Sequence, residues 1–215
     1  MFLLLVSCLL LDVVEIKVTE NQKVLIYEDS QLHRLGIALD FDKVKWSGKF
    51  KNGLAEGKGT LKCYRKKSVV LTYKGIMVNG KFHDTKGILN ATGAKTKLKY
   101  AGNWVDGMRE GEGRMMWAFK RANFTDKRAP YYDGGWSKNV FSGSGILYQV
   151  MEKYEGEFKN GLPHGEGILY IRVNKPKKLV DGDPNMRGSY NLTEDDNAFI
   201  MDKKGQWAHG EFVGE

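Results

Sequence analysis

Apolar and polar residues alternate along short segments at the start of this chain. Residues 13–18 (VVEIKV) and 23–27 (KVLIY) show this period of two, with the polar residues Thr19 to Gln22 between them. Such alternation is typical of strands that bury one face. We therefore predict a β-hairpin here and a third strand over residues 36–41 (GIALDF).

From Trp46 onwards the alternation becomes a repeat in which glycines recur at fixed spacing. If the first aromatic residue is position 0, the pattern has aromatic residues at positions 0 and 4, glycines at 2, 7, 11 and 13, and Leu or Met at 15. The copies with this pattern lie near residues 46–61, 73–89, 100–115, 132–147 and 154–169, with a degenerate copy at 186–201 and a partial one at 203–215.

This spacing predicts one β-hairpin per repeat. Positions 0, 2 and 4 share one face of a strand, so a glycine there leaves room for an aromatic ring against the backbone. Glycine at position 7 suits a tight turn with positive φ. Asn139 occupies position 7 in the fourth copy, and asparagine is the residue that best replaces glycine at positive φ. We therefore expect Asn139→Gly to be neutral or mildly stabilising.

These residues resemble the MORN repeat (membrane occupation and recognition nexus), whose pattern is close to YxGxWxxGxxxGxG. The resemblance implies an all-β fold, an elongated single-layer antiparallel meander of stacked hairpins. We place the repeat array at residues 46–215, after an N-terminal segment over residues 1–45 that acts as a capping region or a signal. MORN arrays occur in cytoskeletal and ciliary scaffolds, in proteins that bridge membranes, and beside the catalytic domains of lipid kinases and lysine methyltransferases.

The composition agrees with many short strands and offers little catalytic chemistry. Glycine accounts for 26 of 215 residues and proline for only 4, which disfavours a helical bundle. Two cysteines, Cys8 and Cys63, are too few for a disulfide framework or a usual zinc site, and the four histidines are scattered. The segment Gly53 to Thr60 only superficially resembles a phosphate-binding loop, because a glycine separates its lysine from its threonine. We predict no catalytic residue, cofactor, metal site or small-molecule substrate.

The N-terminal residues 1–11 (MFLLLVSCLLL) allow three interpretations. The apolar run is too short to span a bilayer. It has the length of a signal-peptide core but lacks a basic start, and Leu5 to Cys8 resembles a lipoprotein box. A buried first strand, or a start that is not the natural one, is the third interpretation, which we favour.

Two groups of residues are candidate binding surfaces. The first is the aromatic face of the repeats, which either stacks structurally or accepts a protein partner: Trp46, Phe50, Tyr100, Trp104, Tyr132, Trp136, Tyr154 and Phe158. The second is a basic edge. The net charge is +8, and the connectors between repeats, which emerge opposite the glycine-rich turns, contain most of the excess. The basic edge comprises Arg65, Lys66, Lys67, Lys120, Arg121, Lys177 and Lys178.

We therefore predict a non-catalytic scaffold or protein–protein interaction module. Its expected partner is another protein, or a second copy, bound through the C-terminal repeats, and an anionic lipid surface is a further candidate. The aromatic residues are not interleaved with the basic runs, so we expect no nucleic-acid binding. The expected location is cytoplasmic, cytoskeletal or membrane-peripheral, unless residues 1–11 direct secretion or lipid attachment. The alternative is a targeting or regulatory region of a larger enzyme of the lipid kinase or lysine methyltransferase type.

Overall fold

The structure is a computed structural model that describes residues 13–27, 32–33, 35–119, 129–174 and 197–214. It consists almost entirely of β-strands. Their bounds are β1 Val13–Thr19, β2 Gln22–Tyr27, β3 Lys43–Trp46, β4 Lys49–Lys51, β5 Leu54–Arg65, β6 Ser68–Val78, β7 Lys81–Phe82, β8 Asp84–Thr92, β9 Thr96–Val105, β10 Met108–Phe119, β11 Tyr131–Ser137, β12 Val140–Tyr148, β13 Glu152–Lys159, β14 Leu162–Asn174, β15 Asn197–Ala208 and β16 Glu211–Gly214.

The repeats form one open antiparallel sheet in which each long strand pairs with its neighbour in the sequence. The order runs β5-β6-β8-β9-β10-β11-β12-β13-β14-β15-β16, while β3 and β4 pair with β5, and β7 pairs with β6. The glycines at positions 2 and 13 lie opposite each other, as in the pairing of Gly156 with Gly167. The predicted meander of hairpins is therefore confirmed.

Glycine-rich turns connect the two strands of each repeat. Backbone hydrogen bonds also join the turn of one repeat to the turn of the next. Asn52 and Gly53 both have positive φ (51° and 76°), as a two-residue hairpin turn requires. Asn139 has φ 70°, which confirms the conformation predicted for position 7 of the fourth copy. The N–H at position 7 donates to the carbonyl at position 9 of the preceding repeat, for example from Gly80 to Ala55 at 2.9 Å. The turns therefore form a continuous hydrogen-bonded ladder.

The predicted N-terminal hairpin is present, and it is attached to this ladder of turns. The N–H groups of Lys23 and Leu25 on β2 donate to the carbonyls of Gly53 and Gly80, each at 2.8 Å. Between them Val24 is fully buried, and Ile26 is buried as well. The hairpin thus covers one side of the first repeats with apolar side chains.

The predicted strand over residues 36–41 is wrong, because this segment has no strand neighbour. Its carbonyl groups are bonded to a side chain instead: the Arg65 guanidinium donates to the carbonyls of Ala38 (2.9 Å) and Asp40 (3.2 Å). Ile37 is nevertheless buried in the core. The apolar residues of this segment therefore reflect packing against the sheet, not pairing within it.

The sheet has two distinct faces. The face that presents positions 0, 2 and 4 is called the inner face here. It includes the buried residues Tyr73, Tyr100, Tyr132 and Tyr154, each at most 1% exposed. The opposite face, which presents the intervening positions of the same strands, is called the outer face. It contains many charged and exposed residues.

The inner face can form only because glycines lie under the tyrosine rings. A Cβ atom on Gly156 would lie 2.5 Å from the Cα of Gly167 and 2.7 Å from the hydroxyl oxygen of Tyr154. A Cβ on Gly167 would lie 2.0 Å from the same hydroxyl oxygen. At these two glycines the ring belongs to the same repeat, whereas a Cβ on Gly87 would first meet the ring of Trp104 from the next repeat, at 2.6 Å.

Replacing Gly156 by valine is expected to lower the free energy of unfolding by about 3 kcal/mol or more, because the backbone of Gly167 cannot move away from the new side chain. Chemical denaturation followed by circular dichroism measures this change. Lys159→Val is the matched control, since Lys159 lies on the same strand but is exposed, and it should change stability by less than about 0.5 kcal/mol. Equal effects of the two substitutions would contradict the packing argument.

Candidate partner-binding surfaces

The aromatic rings of the inner face are fixed by hydrogen bonds as well as by packing. The tyrosine at position 0 donates to the carbonyl at position 3 of its own repeat, as from Tyr100 to Asn103 at 3.0 Å. The tryptophan at position 4 donates to the carbonyl of the last glycine in the preceding repeat, as from Trp136 to Gly113 at 2.9 Å. Burial raises the pKa of the buried tyrosines above the usual range, so their hydroxyl groups remain donors. The tyrosine bond thus fixes the ring against its own strand, and the tryptophan bond joins one hairpin to its neighbour.

Ring contacts continue this linkage along the array. Tyr132 stacks on Phe141 with centroids 3.8 Å apart and meets Trp136 edge-on at 5.2 Å. Tyr154 meets Phe158 edge-on at 5.1 Å and Trp207 at 5.2 Å. Aromatic pairs in these geometries stabilise beyond their buried area, by about 0.5–1.5 kcal/mol each. The aromatic face is therefore a structural stack that runs from repeat to repeat.

A buried arginine interrupts this stack in the third repeat. Arg109 occupies position 9, where the second and fourth repeats have Phe82 and Phe141. Its side chain is fully buried, and its guanidinium lies 4.6 Å from the ring centre of Trp136 and 5.6 Å from that of Tyr100. A guanidinium held between aromatic faces is stabilised by cation–π attraction. Sequence reasoning missed this residue, although a charged residue at a position that is apolar in the other copies was a visible signal.

Asn139 does more than supply a residue with positive φ. Its side-chain oxygen accepts a hydrogen bond from the backbone N–H of Arg109 at 2.8 Å, and its own N–H donates to the Arg109 carbonyl at 3.1 Å. Both residues are buried. Because an unpaired buried N–H is costly, glycine is not equivalent to asparagine here, contrary to the sequence expectation.

Side chains at position 10 of the repeat accept hydrogen bonds from the next turn. The carboxylate of Glu56 accepts the N–H of Asn79 at 2.9 Å, and that of Glu110 accepts the N–H of Lys138 at 2.8 Å. His83 at the same position lies 3.4 Å from the N–H of Asp106. These residues therefore support the ladder of turns, which is a structural role.

The predicted aromatic binding residues lie mostly inside the protein. Seven of them are buried, and Phe50 is half-buried. Their arrangement explains the structural stacking that the pattern predicted. Partner binding through these rings stays a prediction; the buried residues are Trp46, Tyr100, Trp104, Tyr132, Trp136, Tyr154 and Phe158.

The predicted basic edge is described only in part. Arg65, Lys66 and Lys67 form the turn between β5 and β6, at the end of the sheet opposite the glycine-rich turns. Arg65 pairs with Asp40, while Lys66 and Lys67 are exposed. Lys120, Arg121, Lys177 and Lys178 lie outside the described residues. Binding of an anionic lipid surface along this edge stays a prediction.

The described residues hold no recognisable catalytic or metal centre. No group of three or more His, Cys, Asp or Glu side chains is placed to hold a metal ion within the described ranges. Burial raises the pKa of the Cys63 thiol to about 12, which keeps it protonated and unreactive near neutral pH. Where the chain is described, it also has no helix long and apolar enough to cross a bilayer.

The C-terminal strands present apolar side chains to solvent. Met201 is 60% exposed, Ile200 45% and Val213 64%. Strand β16 pairs only with residues 206–208 of β15. Among the described residues, the rest of β15 has a neighbour on one edge alone, namely β14. Such an edge can accept a further strand.

Comparison with known proteins agrees with this geometry. The MORN repeat family model matches residues 46–65, 100–118, 132–150 and 154–172, which are the four best copies of the predicted pattern. Alsin from Rattus norvegicus is 30% identical over 116 residues, and Alsin from Mus musculus and from Homo sapiens match to the same extent. The match covers 54% of this chain but spans only 6% of the length of Alsin.

The chain is thus a MORN-repeat protein, as its sequence predicted. The family matches lie on hairpins that share the same glycine, tyrosine and turn geometry. These matched segments are MORN repeats, which are not catalytic domains.

Asn139→Gly is expected to lower the free energy of unfolding by about 1–2 kcal/mol, because it leaves the buried N–H of Arg109 without its acceptor. Lys138→Gly, in the same turn, is the control. Lys138 is exposed with φ 48°, so glycine there should be neutral or slightly stabilising. Both values come from denaturant unfolding, and a neutral Asn139→Gly would refute the role assigned to the amide.

Cys63 in the folded protein should resist a thiol-specific reagent at pH 8, because burial blocks access and the raised pKa suppresses the thiolate. In denaturant, where the pKa returns to its ordinary value near 8.5, labelling should be rapid. Peptide mapping by mass spectrometry separates this site from Cys8. Labelling of Cys63 at equal rates in both states would show that the thiol is accessible in the native fold.

Proposed function

We propose that this chain is a non-catalytic interaction module that binds another protein through its C-terminal repeats. The observation that supports it best is the exposed apolar surface on the last strands. Ile200 and Met201 lie on β15, and Val213 lies on β16. Exposed apolar side chains beside an available strand edge suit the addition of a partner strand, in which backbone hydrogen bonds give affinity and side-chain pockets give specificity.

The rest of the architecture supports a structural role in which the repeats present a binding surface. Hydrogen bonds between the turns, as from Gly107 to Phe82 at 2.8 Å, connect each repeat to the one before. A solenoid of this kind presents a long surface without a closed cavity. The repeats could bind a partner in this way either alone or beside another domain.

Site-specific photo-crosslinking tests this proposal. A photoreactive residue at Met201 of the full chain, expressed in cells, should give a discrete cross-linked product. The control position is Val69, which is 44% exposed at the start of β6, and it should give none. The Ile200→Lys variant should weaken the Met201 product. Absence of a product at Met201, or equal products at the two positions, would contradict a C-terminal partner surface.

A further inference from the structure

Charge is divided unevenly between the two halves of the repeat array. Between Val13 and Gly107 the described residues include seventeen basic and seven acidic side chains. From Met108 to Gly214 they include eight basic and nine acidic ones. The net charge of the chain therefore resides almost wholly in its first half.

The difference is sharpest between the first and fifth repeats, which otherwise have nearly the same sequence. Position 3 is Lys49 in the first repeat and Glu157 in the fifth, and position 12 is Lys58 in the first and Glu166 in the fifth. All four side chains are exposed. Each is adjacent to a glycine that faces the inner rings, so alternation places all four on the outer face. At positions 3 and 12 the two equivalent repeats thus present equally spaced charges of opposite sign, while position 5 is an exposed lysine in both (Lys51 and Lys159).

These four charges have no ion-pair partner among the described residues. Lys49 lies opposite Glu56 in the sheet register, but the two form no ion pair. Glu166 accepts a hydrogen bond from Gln206, which is neutral. Two other outer-face carboxylates in the second half are already paired: Asp133 with Arg114 at 2.9 Å, and Glu155 with Lys153 at 2.7 Å. The lysine pair of the first repeat and the glutamate pair of the fifth are therefore available to an external partner.

We propose that two copies of this chain pack outer face to outer face in antiparallel orientation, which rests on the proposed function as a protein-interaction module. A two-fold axis through the third repeat brings the first repeat of each copy onto the fifth repeat of the other. Lys49 of β4 then faces Glu166 of β14, and Lys58 of β5 faces Glu157 of β13, twice per dimer. An interface of this symmetry is self-complementary, because the same surface contributes both halves.

The dimensions of the sheet fit this arrangement. Stacked sheets lie about 10 Å apart, a gap that a lysine and a glutamate side chain can bridge together. Neighbouring strands lie about 4.8 Å apart, so the ten strands of the first five repeats along the sheet path extend for about 40 Å. With a width of about 20 Å, this face reaches the roughly 800 Å² per partner that a specific interface needs. The two-fold axis runs between β9 and β10, the two strands of the central repeat, where the small residue Ala101 of β9 faces the partner's β10.

Charge exchange between full-length variants tests the pairing. Sedimentation equilibrium at low ionic strength should show a dimer of the wild-type chain at tens of micromolar. The K49E/K58E variant and the E157K/E166K variant should each dimerise at least about tenfold more weakly, since all four pairs become repulsive. An equimolar mixture of the two variants should dimerise again, because each exchanged residue then meets a residue of opposite charge. Fluorescent labelling of one variant identifies the mixed dimer.

The matched control is K66E/K67E, which makes the same charge change at the exposed turn between β5 and β6 and should leave the dimer intact. Wild-type dimers should dissociate in about 1 M salt, where the screening length falls to about 3 Å. A monomeric wild-type chain at low salt, dimers retained in either double variant, or a mixture that stays monomeric would each overturn the proposal. A dimer formed through the C-terminal surface would persist in the variants and in salt, so the two interfaces are distinguishable.

Discussion

The close approach of two glycine backbones beneath a tyrosine ring is the constraint on which this structure depends. Gly102 and Gly113 lie opposite each other in the sheet, and the hydroxyl of Tyr100 lies over both. A Cβ at Gly113 would be 2.2 Å from that hydroxyl oxygen. Because neither glycine has a side chain, the ring can lie flat against the strands and donate to its own hairpin. The same arrangement recurs in the next two repeats, at Tyr132 with Gly134 and Gly145 and at Tyr154 with Gly156 and Gly167.

The turns connect neighbouring hairpins in the same way throughout the array, and a tryptophan at position 4 adds a second connection in several repeats. On the inner face, a tryptophan donates to the previous repeat, and at the turns an N–H donates to a carbonyl one repeat earlier. Arg109 replaces an aromatic residue by stacking its guanidinium on rings, and Asn139 replaces glycine while accepting the N–H of Arg109. The two exceptions to the pattern thus lie in contact and compensate for each other.

Because the repeats have equivalent geometry, differences in charge between them lie at equivalent places on the outer face. Outer-face positions take no part in the stack, so their residues can change without cost to the fold. In the first repeat they are Lys49 and Lys58, and in the fifth they are Glu157 and Glu166. A scaffold with fixed spacing converts such substitutions into a charge pattern that a second surface can match. The exposed apolar residues of β15 and β16 form the surface of the proposed C-terminal interaction.

The sequence by itself determined the repeat, its hairpins and the positive φ of its turns, because periods of two and fixed glycine positions are local properties. It also predicted the first hairpin, β1 and β2, from alternation alone. Tertiary structure decided what no local pattern contains. The carbonyls of residues 38 and 40 bond to Arg65, which abolished the expected strand. The carboxylates of Glu56 and Glu110 accept backbone hydrogen bonds because a turn from another repeat lies beside them. Partners distant in the sequence supply these bonds, so only the folded chain could reveal them.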